Sequence, residues 1–210
     1  MRPANTHLKI IVLAAGKSER FNGIKLLANL ENGDSSITLI EHVLTQLSAA
    51  LNQLAIDKKN IFVATGRYHQ QLLNVIGEQF SLNFCQQAHL GLGHTIAQSV
   101  EQTLLTDKLT SHIMIVLADQ VALNVNDYNN LITESFKQPN KLVCATADGE
   151  LMPPAIFPRD YFSALMKLTG DKGAKSILYT NREQCTEVIL PNAAADIDTQ
   201  QDLVNWHQQL

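Results

Sequence analysis

Two kinds of apolar pattern alternate along the chain up to Gly149. Buried strands are predicted by short continuous apolar runs, at 10–14, 61–65, 82–85, 113–118 and 142–145. Amphipathic helices are predicted where apolar residues recur every three or four positions, at 37–54, 72–76, 92–104 and 127–136. The resulting order, β-α-β-α-β-α-β-α-β, predicts an α/β fold with a mostly parallel sheet and helices on both faces.

The pattern changes after Gly149. The segment 152–158 is flanked by prolines and reads as extended, which suits an edge or crossing strand. The remaining predicted elements are two short helices at 161–168 and 174–179, a strand at 188–190 and a closing helix at 200–210. With no repeat or linker visible, we expect a single domain over 1–210, in which 149–210 add elements to a first part of 1–148.

Composition narrows the class of protein. An apolar fraction of 45% and a charged fraction of 17% are ordinary for a globular protein, and a net charge of -4 argues against a nucleic-acid partner. The apolar run 10–15 is too short for a signal peptide or a membrane span, so we expect no membrane partner and a cytoplasmic location. The three cysteines form no CxxC pair and are expected to be core residues.

The loop after the first strand is the first candidate for chemistry. Ala14 and Ala15 lead into Gly16, and such small residues let phosphate oxygens approach the backbone N–H groups. Ser18 adds a hydroxyl donor, and three cations follow closely, at Lys17, Arg20 and Lys25. The spacing is neither GxxxxGK[ST] nor GxGxxG. The loop therefore predicts a phosphate site of another kind, and its alternative is a plain strand-to-helix turn.

Carboxylates end the fourth strand and precede the last helix. Asp119 follows the strongest apolar run, and ligands of parallel sheets bind at the carboxyl ends of strands. Asp196 and Asp198 lie just before the closing helix. Two converging carboxylates suit Mg²⁺, which completes its coordination with phosphates and water. The alternative for the second segment is that Asp198 or Thr199 only caps the helix.

Five sets of motifs, in order, resemble molybdenum-cofactor nucleotidyltransferases along nearly the whole chain. They are LAAGKSERF at 13–21 with KLL at 25–27, GLGHT at 91–95, LADQ at 117–120, PAIF at 154–157 with GDKGA at 170–174, and DIDT at 196–199. The resemblance implies a Rossmann-like, three-layer α/β/α nucleotidyltransferase fold. It also implies Mg²⁺-dependent transfer of a nucleotidyl group from a nucleoside triphosphate to a phosphorylated acceptor, with release of pyrophosphate.

The resemblance also assigns roles to residues. Ala15 favours CTP, because the branch of the family that uses GTP has glycine there, and the implied acceptor is molybdopterin. The catalytic set is Arg20, Lys25 and Asp119, and the metal ligands are Asp119 and Asp198. The nucleotide-binding set is Leu13, Ala14, Ala15, Gly16, Ser18, Arg20, Lys25, Thr65, Gly66, Gly91, Gly93, His94 and Thr95. The acceptor set is Pro154, Asp171 and Lys172. These sets assign nucleotide binding to 1–148 and the acceptor side to 149–210, and a molybdoenzyme that receives the product would be a partner.

Other interpretations of these segments stay open. Gly91 and Gly93 also suit a helix-entry turn, His94 a solvated position beside it, and 170–173 a turn between two helices. The chain departs from the family pattern at Asn22, at Val121 and at the segment 152–154. The acceptor could instead be a sugar or alcohol phosphate, and a nucleotide-binding accessory protein without catalysis is a further alternative.

Overall fold

The computed structural model describes residues 7–30 and 37–208, so the start of the chain and the last two residues of the predicted closing helix lie outside it. The strands are β1 Leu8–Ala14, β2 Ile61–Thr65, β3 Ser81–Phe84, β4 His112–Leu117, β5 Leu142–Ala147, β6 Glu150–Pro158 and β7 Cys185–Ile189. The helices are α1 Leu39–Gln53, α2 His69–Ile76, α3 Leu92–Thr106, α4 Val125–Lys137, α5 Phe162–Leu165, α6 Lys175–Thr180 and α7 Gln200–His207. No helix in these ranges has the length and apolar character needed to cross a membrane.

All seven strands join one sheet, in the order β3-β2-β1-β4-β6-β5-β7. Pairing is parallel among β3, β2, β1 and β4 and between β5 and β7, whereas β6 runs antiparallel to both of its neighbours. The prediction of a mostly parallel α/β sheet is therefore confirmed. β6 and β7 come from the predicted acceptor-side part and extend the sheet built by the first part.

Side chains of β1 alternate between two cores, one on each face of the sheet. Ile10 and Val12 pack in the cluster that holds the apolar faces of α1, α2, α4 and α7. Ile11 and Leu13 pack in the cluster that holds those of α3, α5 and α6. This alternation follows from the two-residue period of a strand. The fold thus has three layers, α/β/α, as the motifs implied.

Of the two positions proposed for the proline-flanked segment, an edge strand or a crossing strand, the edge position is wrong. β6 lies inside the sheet, with β4 on one side and β5 on the other. It tolerates Pro153 and Pro154, which are joined by a cis peptide bond, because they fall where regular pairing is interrupted. β4 pairs only with residues from Ala155 onward, and the register with β5 shifts between Cys144 and Ala145. Proline has no N–H to donate, and at this break the ladder needs none.

Candidate active site at the carboxyl ends of β1 and β4

The chain reverses direction across the sheet between β1 and β4. β2 and β3 lie on one side of β1 and β4 lies on the other, so the loops after β1 and β4 diverge and leave a crevice at this edge. A cavity of about 720 Å³ fills it. Its lining residues are Leu13, 15–20, Lys25, 88–92, Thr95, Leu117, Asp119, Asp171 and Asp198.

The loop after β1 is a tight turn with a buried anchor. Ser18 and Asn22 have φ values of 54° and 49°, and Gly23 continues the left-handed backbone at 143°. Phe21 is buried in the core, its N–H donates to the Ser18 carbonyl at 3.1 Å, and its own carbonyl accepts from Gln200 Nε2 at 2.9 Å. The inserted Asn22 therefore belongs to a turn whose asparagine and glycine tolerate positive φ. The anchor fixes the loop against α7.

Four charged side chains from distant parts of the sequence meet beside this loop. Lys25 Nζ lies 2.7 Å from Asp119 Oδ2 and 2.9 Å from Asp198 Oδ1. Arg20 Nη2 lies 2.7 Å from Asp198 Oδ2. The Lys25 side chain is only 12% exposed, and its backbone N–H donates to Ser18 Oγ at 3.2 Å. Because that hydroxyl accepts from Lys25, its own proton stays available to a ligand.

The proton affinities of this network follow from its packing. Burial by itself lowers the pKa of Lys25, but the charges and hydrogen bonds of Asp119 and Asp198 outweigh it and raise that pKa above its ordinary value. Burial by itself raises the pKa of Asp198, but Lys25 and Arg20 bring it below its ordinary value. The pKa of Asp196 is raised to about 6 by burial of its carboxyl group and by the charges of Asp119 and Asp198. The site therefore holds Lys25 as a cation and Asp198 as an anion at neutral pH.

The segment 196–199 was predicted either to supply a metal ligand or only to cap the closing helix, and two adjacent residues take different positions in it. Thr199 caps α7: its hydroxyl accepts from the Asp202 N–H, and the Asp202 carboxylate accepts from the Thr199 N–H in return. The Asp198 carboxylate takes no part in the cap and instead accepts from Lys25 and Arg20. The helix cap thus holds Asp198 at the rim of the cavity.

A divalent cation fits the two carboxylates. Asp119 Oδ1 is buried and has no hydrogen-bond partner among the described residues, which leaves one carboxylate oxygen free to coordinate. Within 7–30 and 37–208, no three His, Cys, Asp or Glu side chains are grouped to hold a metal by themselves. A pair of carboxylates agrees with Mg²⁺, which is usually held by one or two carboxylates together with the phosphates of a substrate.

Several residues expected in the site lie behind it or beside it. Ala14 is buried, and Thr65 binds His69 Nδ1 and the Asn83 carbonyl through its hydroxyl. Pro154 is buried in β6, and Lys172 is exposed; neither lines the 720 Å³ cavity. That cavity brings together Leu13, Ala15, Gly16, Ser18, Arg20, Lys25, Gly91, Thr95, Asp119, Asp171 and Asp198.

The start of α3 is joined to the GDKG loop. The Gly93 N–H donates to the Gly170 carbonyl at 2.7 Å, and the Gly170 N–H donates to His94 Nδ1 at 3.0 Å. His94 itself lines a different cavity, together with Gln98 and Met166. The N–H of Gly93 and Nδ1 of His94 are therefore engaged within the protein.

A second cavity of about 520 Å³ adjoins the first and was not predicted. The two share Ala15, Lys17, Ala88 and His89. The other lining residues of the second cavity are Gly66, Arg67, His69, Gln70, Phe84, Cys85 and Gln86. These follow the carboxyl ends of β2 and β3, so the rule that singled out Asp119 also applies to them. Gly66 is the member of this set that the motifs had assigned to the nucleotide.

Gln120 is a structural residue of the site, and no role was predicted for it from the sequence. It is 1% exposed, and its Nε2 donates to the Pro153 carbonyl at 2.9 Å and to the Ala193 carbonyl at 2.7 Å. It thereby connects the residue after Asp119 to β6 and to the turn before the segment 196–199. The signal in the sequence is a polar residue directly after Asp119, at the end of the apolar run 113–118.

Comparisons with known proteins agree with this geometry. The chain is 26% identical over 192 residues to the purine catabolism protein PucB of Bacillus subtilis (strain 168), covering 90% of this chain and 88% of PucB. The crystal structure of Rv0371c from Mycobacterium tuberculosis H37Rv in complex with manganese is similar with a TM-score of 0.74 at 17% identity, over 98% of this chain and 100% of that chain. A CMP:2-keto-3-deoxy-manno-octonic acid synthetase complexed with CTP is similar with a TM-score of 0.65 at 11% identity, over 98% and 100% of the two chains.

At identities of 17% and 11%, the two similar structures are evidence for the fold alone. The family is shown by the sequence itself, because the family described as the MobA-like NTP transferase domain matches residues 10–186. This confirms the family that the motifs suggested, and with it a nucleotidyltransferase of Rossmann-like α/β fold. The chain belongs to the MobA-like NTP transferase family.

Proposed function

We propose that this protein is a Mg²⁺-dependent cytidylyltransferase that transfers CMP from CTP to the terminal phosphate of molybdopterin. The observation that carries the proposal is the network in which Lys25 joins Asp119 to Asp198 beside the loop 15–20. It combines cations for a triphosphate with carboxylates for a divalent ion in one crevice. Such a site suits phosphoryl chemistry, which needs alignment and charge neutralisation more than a covalent catalyst.

The transfer is a single displacement at phosphorus. An oxygen of the acceptor's terminal phosphate forms a bond to the α-phosphorus of CTP, and the bond from that phosphorus to the bridging oxygen of the β-phosphate breaks. Pyrophosphate leaves with the bonding electron pair. The Gly16 backbone and the Ser18 hydroxyl hold the phosphates, while Arg20 and Lys25 stabilise the charge that builds up on the pyrophosphate.

Asp119 and Asp198 are the residues that would hold the magnesium ion. When bound, the ion supplies charge neutralisation on the phosphates. Asp119 contributes a buried oxygen without a partner among the described residues. Lys25 Nζ already lies between the two carboxylates, so it competes with a cation for their oxygens. The manganese bound to Rv0371c supports a divalent ion in a protein of this fold.

The preference for CTP rests on the wall between the two cavities. The methyl group of Ala15 lies 3.2 Å from the point that a Cβ on Gly66 would occupy, and the methyl group of Ala88 lies 3.0 Å from it. The Ala15 side chain therefore takes up space where the two cavities meet. We place the base in the second cavity, where the methyl group of Ala15 leaves less room for a guanine ring than for the smaller cytosine ring. The CTP complex of a synthetase with this fold supports the same choice.

The test measures pyrophosphate release from CTP, GTP, ATP and UTP, each with molybdopterin and with or without Mg²⁺. We expect CTP to be used at least about tenfold faster than the others, which corresponds to about 1.4 kcal/mol of discrimination, and we expect no turnover without a divalent cation. Asp119→Asn should lose turnover while it keeps the fold. The matched control is Asp160→Asn, an exposed carboxylate outside the cavity, which should keep turnover.

Three results would overturn the proposal in different ways. A preference for GTP would make Ala15 irrelevant to the choice of base. Turnover with a sugar phosphate or an alcohol phosphate but not with molybdopterin would change the acceptor. Binding of CTP without pyrophosphate release from any acceptor, unchanged in Asp119→Asn, would favour a nucleotide-binding accessory protein.

A further inference from the structure

Two loops from the two parts of the chain are joined by a reciprocal pair of hydrogen bonds. The acceptor-side loop is defined as residues 169–173, and it lies against the start of α3. The Gly93 N–H, which has no partner inside its own helix at this position, donates to the Gly170 carbonyl at 2.7 Å. The Gly170 N–H donates to His94 Nδ1 at 3.0 Å. One peptide segment of the loop is thus held from both its donor and its acceptor side.

The glycines of α3 allow this close approach. A Cβ on Gly91 would collide with the Gly170 carbonyl, and a Cβ on Gly93 would lie 2.7 Å from the Thr169 nitrogen and 2.8 Å from the Lys172 carbonyl oxygen. Both are backbone atoms that cannot move aside cheaply. The two backbones therefore touch directly, and the spacing of GLGH suits a contact with the acceptor-side loop as well as a helix entry.

The contact also fixes the protonation state of His94. An N–H group can donate only to a nitrogen that has a free lone pair, so Nδ1 is unprotonated and the single ring proton is on Nε2. A doubly protonated imidazole would point one N–H at another. The hydrogen bond between Gly170 and His94 therefore exists only with the neutral ring.

The His94 imidazole lies outside the 720 Å³ cavity, called the main cavity below, and is connected to that cavity through the acceptor-side loop. Its own surroundings are a cavity of about 440 Å³ that it shares with Gln98, Glu101 and Met166. On the far side of the loop, Asp171 lines the main cavity. The ionisable side chains on the elements around the ring are Glu101 on α3, His89 before it, and Lys167, Asp171 and Lys172 on the segment that carries the loop.

We propose that His94 is a positioning residue that holds the acceptor-side loop against the start of α3 and thereby keeps Asp171 in the wall of the 720 Å³ cavity. The proposal rests on the proposed function for the identity of the acceptor. It gives His94 no contact with the nucleotide and makes acceptor use, but not CTP binding, depend on the hydrogen bond from the Gly170 N–H to His94 Nδ1.

The test compares the full-length wild-type chain with two single variants, His94→Leu and His94→Asn. His94→Leu removes the acceptor atom, whereas His94→Asn places an amide oxygen, Oδ1, at the branch position of Nδ1 and keeps an acceptor at every pH. We expect His94→Leu to raise the KM for molybdopterin about tenfold, the loss of one hydrogen bond, with the KM for CTP within about twofold of the wild type. His94→Asn should restore the wild-type KM for molybdopterin.

Amide hydrogen exchange followed by NMR provides a readout that does not depend on the acceptor. The Gly170 and Gly93 amides should be protected in the wild type and in His94→Asn, and should exchange at least about tenfold faster in His94→Leu. If His94→Leu keeps both the protection and the KM, or if His94→Asn is as impaired as His94→Leu, the proposal is wrong. If the wild type transfers no CMP to molybdopterin, the proposed function fails, and the exchange rates alone decide whether His94 holds the loop.

Discussion

Gly93→Ala tests whether the contact between α3 and the acceptor-side loop matters to the fold. Gly93 lies in the first turn of α3, where its added Cβ would meet the Thr169 nitrogen at 2.7 Å and the carbonyl oxygens of Thr169 and Lys172 at 2.8 Å. To reach ordinary van der Waals contact, the loop would have to move by about 0.7 Å. That displacement also stretches the hydrogen bonds from Gly93 to Gly170 and from Gly170 to His94.

The change in the free energy of unfolding of Gly93→Ala is the sum of opposing effects. Overpacking of this kind costs about 1–3 kcal/mol, and each stretched hydrogen bond about 1 kcal/mol. Alanine is the better helix former and returns about 1 kcal/mol. We therefore expect Gly93→Ala to lower the free energy of unfolding by about 3 kcal/mol. For a chain of this size, that is a fall in Tm of about 6–12 °C.

The assay is thermal and urea unfolding of the wild type, Gly93→Ala and Gly16→Ala. Gly16 is the matched control, because an added Cβ there meets nothing within 4 Å. Its stability should change by no more than about 0.5 kcal/mol. If Gly93→Ala is as stable as the wild type or more stable, the gain in helix propensity outweighs the steric cost of the added Cβ. The predicted steric conflict between α3 and the acceptor-side loop would then be wrong.

Three further substitutions test single features. Gln120→Leu should lower the free energy of unfolding by about 2 kcal/mol in urea titrations, because the Pro153 and Ala193 carbonyls lose their buried donor. Thr199→Ala should cost about 1 kcal/mol in the same assay by removing the cap of α7. Burial lowers the pKa of His112, so the unfolded chain takes up a proton before the folded one does; stability should be full above about pH 6.5 and fall below it. His112→Gln, whose amide N–H can still donate to the Pro139 carbonyl, should remove the part of the fall in Tm between about pH 7 and about pH 5 that comes from His112. An unchanged slope would contradict the assignment to His112.

The sequence predicted the sheet well because period and burial act locally. β2 begins and ends where its apolar run does, at Ile61 and Thr65, and the parallel order follows from the alternation of strands and helices. The place of β6 could not be predicted in this way. Proline usually marks an edge, but here a pairing break that involves β4 and β5 leaves Pro153 and Pro154 inside the sheet. Such a break depends on three strands at once.

Some residues of the candidate site could also be predicted from the sequence, and others could not. Asp119 and the loop at 15–20 could be found from strand ends, since parallel strands bring them to one edge. The hydrogen-bonding roles of His94 and Gln120 could not, because each depends on a carbonyl or amide that lies at least 33 residues away in sequence. Local patterns identify which residues are polar and where strands end. They do not show which polar group has already found a partner within the fold.

The charge network constrains how substrates meet this site. Arg20 and Lys25 carry two positive charges and Asp119 and Asp198 two negative ones, so the four together are neutral. A triphosphate alone would draw Lys25 and Arg20 towards itself and leave two carboxylates next to its own charge. A divalent cation alone would compete with Lys25 for the same oxygens. Bound together, the two ligands exchange these partners without leaving a charge unpaired, and each therefore strengthens the binding of the other. The ion pairs among Arg20, Lys25, Asp119 and Asp198 thus favour binding of the triphosphate and the divalent cation together.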